Sequence, residues 1–311
     1  MQRHFRHGGV SPRSARLRGQ SIIEYVLIIA VIGLVIVFAG PGVAGAIRNQ
    51  FNQVTNTVDS GADGGNFMSA EEKAYREAMK TVVNKDAKDW SLGEQKAAAT
   101  DIAKNGTSSV VYAKAKAAME AGTKFSAKLT NGKTLEYRIV GINHDDLADG
   151  SGKAGLTFEA TNAVLGAQRM NATQTNAGGW EQSELRGRLN SGDLWSLLPS
   201  ELQSKVKSVK KMTDNKGGGT AGTPSATTDK VFLLSTTEVY GNLQSDGAQY
   251  EYYKSKGVTT SSYSGASSSS NHWARSVSPG NSAYFRSVYS NGDYYYSDAT
   301  YASYVFPAFS F

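Results

Sequence analysis

From Tyr25 to Ile47 the chain runs for 23 residues without a charge. A helix rising 1.5 Å per residue over that length would cross the roughly 30 Å hydrocarbon core of a bilayer. Residues 1–19 precede it with five arginines (Arg3, Arg6, Arg13, Arg16, Arg18), two histidines and no acid. Such a flank stays cytoplasmic by the positive-inside tendency. A signal peptide fits poorly, because the apolar run is long and no clean small-x-small site follows it. A plain anchor would not need Glu24, since a carboxylate at the apolar entry costs roughly 2.5–3.5 kcal/mol and asks for a partner.

The residues Gly19-Gln20-Ser21-Ile22-Ile23-Glu24-Tyr25-Val26-Leu27-Ile28 resemble the cleavage and assembly motif of the Flp-type pilins of tight-adherence systems, a branch of the type IV pilins. The resemblance implies that a prepilin peptidase cuts after Gly19, so that the mature chain begins at Gln20. It implies that Glu24 pairs with a neighbouring subunit's N-terminal amine, each buried charge satisfying the other. Tyr25 stands where that branch carries its marker tyrosine. The helix is expected from about Ser21 to Val58, loosened at Pro41 between Gly40 and Gly42. Asp59 to Gly65 reads as a stop and flexible joint. The expected organisation is a basic leader (1–19), a transmembrane and assembly helix (20–60), a joint with a helical spacer (61–122) and a domain carried outside the cell (123–311).

That organisation reinterprets the charge. The chain has 33 basic and 27 acidic residues, a net charge of +6, and such a balance raises the question of nucleic acid. With the five leader arginines gone, the 33 basic residues fall to 28, and a nucleic-acid partner is no longer indicated. Cysteine is absent, which excludes a disulfide framework, thiolate zinc sites and a cysteine nucleophile.

Ser69-Ala70-Glu71-Glu72 and Ser91-Leu92-Gly93-Glu94 both have capping-box spacing and open Ala- and Lys-rich stretches, predicting helices up to Gly122. The period then changes. Lys124 to Leu129 and Thr134 to Ile142 flank an Asn131-Gly132 turn and predict a β-hairpin, with Leu135, Tyr137 and Ile139 on one face. Short helices are expected near Glu181 to Leu189 and after Pro199, a glycine- and threonine-rich loop over Lys216 to Thr228, and a buried strand over Lys230 to Ser235. The last seventy residues show no long helical pattern. The expected fold class is α+β.

A second resemblance rests on Gly141-Ile142-Asn143-His144-Asp145-Asp146-Leu147-Ala148-Asp149-Gly150-Ser151-Gly152-Lys153-Ala154-Gly155, Arg169-Met170-Asn171, Asn176-Ala177-Gly178-Gly179-Trp180, Leu185-Arg186 with Leu189-Asn190, and Val231 to Ser235. With the run Trp273-Ala274-Arg275-Ser276-Val277-Ser278-Pro279, these are similar to a family of bacterial surface domains with no assigned activity. The resemblance spans about 140–311 and implies a C-type-lectin-like fold. Formylglycine-generating enzymes share that fold, but their chemistry needs cysteine, so the activity is excluded here.

Three sets of candidate residues remain. Asp145, Asp146 and Asp149 on a glycine-rich turn offer the hard oxygen ligands of a cation loop, but without EF-hand spacing or a closing Glu a hydrogen-bonded structural loop is the preferred reading and no metal is expected. His144 and His272 are the only bases for a nucleophilic site after processing, and neither lies in a recognisable nucleophile motif. No phosphate loop or dinucleotide fingerprint appears, so the chain reads as no enzyme and needs no cofactor. The third set carries the most. Twelve of the sixteen tyrosines follow position 239, and seven lie from Tyr284 to Tyr304. Tyr294, Tyr295 and Tyr296 are consecutive and cannot all face one side of a strand. Tyrosine among Ser, Asn, Gly and Asp is a paratope composition, giving large contact area at low entropic cost.

Segment 281–304 also resembles the variable region of proteins diversified by retroelements, which often use a C-type-lectin-like scaffold. Tyr284, Arg286, Tyr289, Asn291, Asp293, Tyr294, Tyr295, Tyr296, Asp298, Thr300, Tyr301 and Ser303, with Trp273, are the ligand-binding candidates, and Val305 to Phe311 is the expected apolar anchor. The resulting expectation is a minor or tip pilin acting as an adhesin. Its partners would be other pilin subunits, the prepilin peptidase, the inner membrane before assembly, and a host-cell, phage or bacterial surface protein or glycan. It would pass from the cell membrane to an extracellular pilus. The alternatives are a structural pilin whose domain decorates the filament, and a surface hydrolase.

Overall fold

A computed structural model describes residues 68–311, which form one compact unit. The segments expected as a leader, a transmembrane and assembly helix and the start of a joint, with Gly19, Gln20, Glu24 and Tyr25, lie outside the described residues.

The two predicted caps open helices. In α1 (Ala70–Val82) the Ser69 hydroxyl accepts from the Glu72 amide, while Glu72 turns to Arg76 instead of closing the box. In α2 (Leu92–Asn105) the Ser91–Glu94 capping box is complete. A third helix, α3 (Tyr112–Ala121), ends at Gly122, whose φ of +67° suits glycine. The hairpin follows as β1 (Lys124–Lys128) and β2 (Thr134–Ile142), paired antiparallel, with Leu135, Tyr137 and Ile139 fully buried.

These helices are not a spacer. Trp90, Ala98, Ile102, Val111 and Met119 belong to the same buried cluster as the sheet residues, and the Tyr137 hydroxyl donates to Gln95 on α2 at 3.0 Å. A methyl group at Gly155 would sit 1.8 Å from the Ala99 carbonyl oxygen, so only glycine lets strand and helix approach this closely. The expected boundary at 122/123 therefore divides a single core, in which Ala98 and Ala99 of α2 are buried with the sheet residues.

Two five-stranded sheets organise the rest. After β3 (Leu156–Ala160) and β4 (Ala167–Gln168) come four short helices, α4 (Gly179–Gln182), α5 (Glu184–Asn190), α6 (Asp193–Ser196) and α7 (Ser200–Gln203). Strands β5 (Val209–Thr213) and β6 (Ser225–Asp229) form a separate ribbon, so the expected loop gives up its last residues to a strand. Of the expected strand 230–235 only β7 (Val231–Phe232) pairs, and Ser235 caps α8 (Thr236–Tyr240) with a capping box closed by Glu238. Then come α9 (Glu251–Ser255), β8 (His272–Val277), β9 (Tyr284–Val288), β10 (Tyr294–Asp298), β11 (Ser303–Tyr304) and β12 (Ala308–Ser310). The first sheet has the order β1-β2-β3-β12-β7 and the second β10-β9-β8-β11-β4. The chain's last strand therefore lies between β3 and β7, where Phe309 and Phe158 stack at 5.5 Å. This is an α+β fold whose tyrosine-rich segment is tied at both ends to buried strands.

Candidate functional site

Residues of the runs that carry the second resemblance hold the scaffold. Arg275 on β8 is fully buried, and its guanidinium reaches Thr213, the carbonyls of Met212, Leu233 and Asp246, and both carboxylate oxygens of Glu238. Trp180 and Arg186 both donate to Asp229, at 3.1 and 2.6 Å. The Asn176 side chain donates to the carbonyls of Asn281 and Tyr284 and so fixes the entry to β9. The Trp273 ring is buried, with its indole N–H donating 2.8 Å to the Gln168 carbonyl. Trp273 is therefore a scaffold residue and not part of an exposed surface: although it shares a sheet face with Ser287 and Tyr295, its ring is covered and its N–H is satisfied within the chain.

The acidic turn also differs from a cation loop. Asp145 is buried, accepting from Lys211 at 2.6 Å, from Thr157 at 2.6 Å and from Tyr250. Burial alone would raise its carboxyl, but Lys211, His144 and Thr157 hold it down at about 2. Asp146 pairs with Lys153, and Asp149 accepts from the Ser151 amide and hydroxyl. Lysines supply the positive charge a metal would have brought, and among the described residues no cluster of three or more His, Asp or Glu is placed to hold a metal ion.

The histidines are likewise engaged. The His144 ring stacks on Tyr250 at 4.0 Å and meets the Glu251 carboxylate at 3.1 Å. His272 is buried against Phe306 at 4.3 Å, where desolvation pushes it down to about 4.

The tyrosines gather at one edge of the second sheet, where β10 is the outer strand. The β9–β10 hairpin turns through Asn291 and Gly292; Asn291 accepts from the Asp293 amide, and Asp293 from the amide of Tyr294. The Tyr240 hydroxyl donates 2.6 Å to the Gly292 carbonyl, docking the tip. Tyr294 leans on buried Tyr240 at 5.3 Å, leaving Tyr295 at 48% and Tyr296 at 40% exposure. Their neighbours complete a run of ring contacts: Tyr284 stacks on Tyr296 at 5.3 Å, Tyr296 on Tyr295 at 4.8 Å, and Tyr295 meets Tyr289 tilted at 5.1 Å. The Arg286 guanidinium sits about 6 Å from the rings of Tyr294 and Tyr296, and its Nε has no hydrogen-bond partner among the described residues. Tyr301 is 60% exposed and Tyr304 40%.

Beside this run opens a cleft of about 260 Å³ between β9, β10 and the loop before β11. Ser287, Ser297 and Ser303 line it with Asn271 and Asp298, while Tyr289 and Tyr301 bring aromatic rings. Ser303 is buried and donates to the Asn271 carbonyl at 3.2 Å. Thr300 does not reach out but folds onto Asp298, which accepts its amide and hydroxyl and the Gln174 side chain. Burial would raise the Asp298 carboxyl, yet these donors, Thr300 foremost, keep it below the usual range. The structure thus brings Tyr284, Arg286, Tyr289, Tyr294, Tyr295, Tyr296, Asp298, Tyr301 and Ser303 to one sheet edge, with Asn291 and Asp293 at its turn. Sequence reading missed Asn271, Ser287 and Ser297, because single serines and asparagines in polar runs carry no signal until pairing places them.

The site so defined is an aromatic, hydroxyl-lined sheet edge on an α+β scaffold held by buried charge. The profile of a family described as "Domain of unknown function (DUF6273)" matches residues 154–311, just over half of the chain, and the chain belongs to that family. No curated protein and no solved structure matches.

Proposed function

We propose that the chain is a surface-displayed binding module, a minor or tip adhesin in which a Flp-type pilin N-terminus carries a C-type-lectin-like domain that presents the tyrosine edge to a ligand. One observation carries the reading. Of six large hydrophobic side chains exposed among the described residues, four are tyrosines between 295 and 304. Ordered, stacked and outward-facing rings give contact area already fixed before binding, the property that makes tyrosine effective in paratopes. The scaffold supports the same reading, since the motif residues are spent on internal clamps and leave the edge free to vary.

The test replaces Tyr295, Tyr296 and Tyr301 together by serine in the full chain expressed in its pilus system. Adhesion of the cells to their target surface should fall at least tenfold with the number of pili unchanged. Equal adhesion with equal piliation would leave a structural pilin whose domain merely decorates the filament.

A further inference from the structure

From the cleft beside the tyrosines we infer that the domain takes one neutral sugar ring, seated over Ser287. This rests on the binding reading above and names the ligand class of the same edge. Ser287 lies on β9, opposite Trp273 on one side and Tyr295 on the other. It is 1% exposed, and its hydroxyl has no hydrogen-bond partner among the described residues although it borders the cleft. A buried hydroxyl left unpaired is costly, and such groups mark places where something else completes the bonding.

The rest of the lining narrows what that something is. Ser297, Ser303 and Asn271 add short polar groups that both give and accept hydrogen bonds. Tyr289 and Tyr301 flank them with aromatic rings, Tyr301 being 60% exposed. A ring with hydroxyls at its rim and C–H groups on its face matches such a mixture of alternating donors, acceptors and aromatic faces. Asp298 is the one charged residue of the lining, and its pairing with Thr300 and Gln174 keeps it anionic. An acidic sugar would meet that charge unfavourably, so the ring is neutral. The volume of about 260 Å³ falls just short of the ~300–1,000 Å³ of drug-sized sites, which suits one ring with the remainder of a glycan lying across the exposed tyrosines.

Saturation-transfer NMR on the full chain, with D-glucose, D-galactose, D-mannose, L-fucose and N-acetyl-D-glucosamine as separate probes, reads this directly. At least one neutral sugar should bind in the millimolar range, the strength a single ring commands, and N-acetylneuraminic acid at least tenfold more weakly. Ser287→Ala should weaken binding about tenfold while leaving the melting temperature unchanged or higher, because it removes an unpaired hydroxyl. Tyr301→Ser should weaken binding independently, and Tyr112→Phe, on α3 and outside the lining of the cleft, should leave it unchanged. No binding by any neutral probe, or binding undiminished by both Ser287→Ala and Tyr301→Ser, would overturn the sugar assignment. If adhesion still depended on Tyr295 and Tyr296 in that event, the edge would be a protein-binding surface and the adhesin reading would stand without the sugar.

Discussion

Arg275 and Glu238 form a bidentate ion pair in the interior, with neither residue more than 2% exposed and with Lys211 touching the same carboxylate at 2.6 Å. Lys211 bridges onward to Asp145, so four charges from β8, α8, β5 and the turn after β2 are joined away from water. Removing one partner of such a group strands the others, at about 3–5 kcal/mol. Arg275→Ala should therefore lose about that much in urea denaturation. Arg275→Lys should recover little of it, because an ammonium cannot reach the separate acceptors that the guanidinium fork spans. A loss below about 1 kcal/mol for Arg275→Ala would contradict the reading.

The same network sets an acid limit. The folded Asp145 carboxyl is held at about 2, below its ordinary 3.8, and that of Glu238 is also lowered, burial being outweighed by Arg275 and Lys211. A carboxyl depressed on folding contributes stability above its unfolded value, and that stability is lost as pH falls through the folded value. Thermal melts should hold steady down to about pH 4 from this source and then fall steeply toward pH 2. Asp145→Asn should flatten that acid limb while lowering stability at neutral pH, since Lys211 loses a partner.

His272 acts earlier in the titration. It is fully buried and pushed down to about 4 from 6.5, chiefly by desolvation. The unfolded chain therefore takes up a proton that the folded chain resists, and stability falls as pH drops from about 6.5 to about 4. A gap of about 2.5 units corresponds to roughly 3 kcal/mol. His144 works in the opposite sense, because Glu251 and Asp145 raise it despite its burial. His272→Phe should steepen nothing and remove most of the decline between pH 6.5 and 4, as followed by urea midpoints.

The helices, the first hairpin and the α+β class were legible because each has a local cause: Ser91 with Glu94, Asn131 with Gly132, and the alternation of Leu135, Tyr137 and Ile139. Their assembly was not. Nothing in an alanine- and lysine-rich stretch says that Ala98 and Ala99 will meet Gly155, since small residues record a close approach only once the opposing strand is known. The candidate site divided in the same way. Consecutive Tyr294, Tyr295 and Tyr296 announced an exposed edge by the two-residue period of a strand. Ser287, Ser297 and Asn271 reached the cleft through long-range pairing that leaves no local trace. At Asp145 the expected hydrogen-bonded loop is what forms, but its partner Lys211 was not legible, because a carboxylate awaiting a cation and one awaiting a lysine look alike along the chain.

Gly155 gives the sharpest test that the helices are part of the domain. A Cβ there would overlap the Ala99 carbonyl, backbone against backbone, with no side chain able to move aside. Gly155→Ala should cost at least the 1–3 kcal/mol typical of overpacking, and a chain lacking residues 68–122 should lose the cooperative melt of the whole unit. A stable, cooperatively folded 123–311 fragment would restore the idea of a detachable spacer.

The tyrosine edge should separate binding from folding. Tyr295 and Tyr296 stack on one another and meet the rings of Tyr289 and Tyr284 while remaining 40–48% exposed. Surface changes of this kind usually move stability by no more than about 0.5 kcal/mol, and the lost ring contacts add about 0.5–1.5 kcal/mol per pair at most. Tyr240 differs: it is buried, supports Tyr294 and donates to the Gly292 carbonyl that fixes the hairpin tip. Tyr240→Phe should leave that carbonyl without its donor and cost about 1–3 kcal/mol, displacing the whole edge. Denaturation curves for the Tyr295→Ser and Tyr296→Ser double variant and for Tyr240→Phe, each paired with an adhesion measurement, should therefore diverge. The exposed pair should lose adhesion with its stability nearly intact, whereas Tyr240→Phe should lose stability first and adhesion only through it. If the double variant unfolded as readily as Tyr240→Phe, the exposed rings would be holding the sheet together instead of offering it to a ligand.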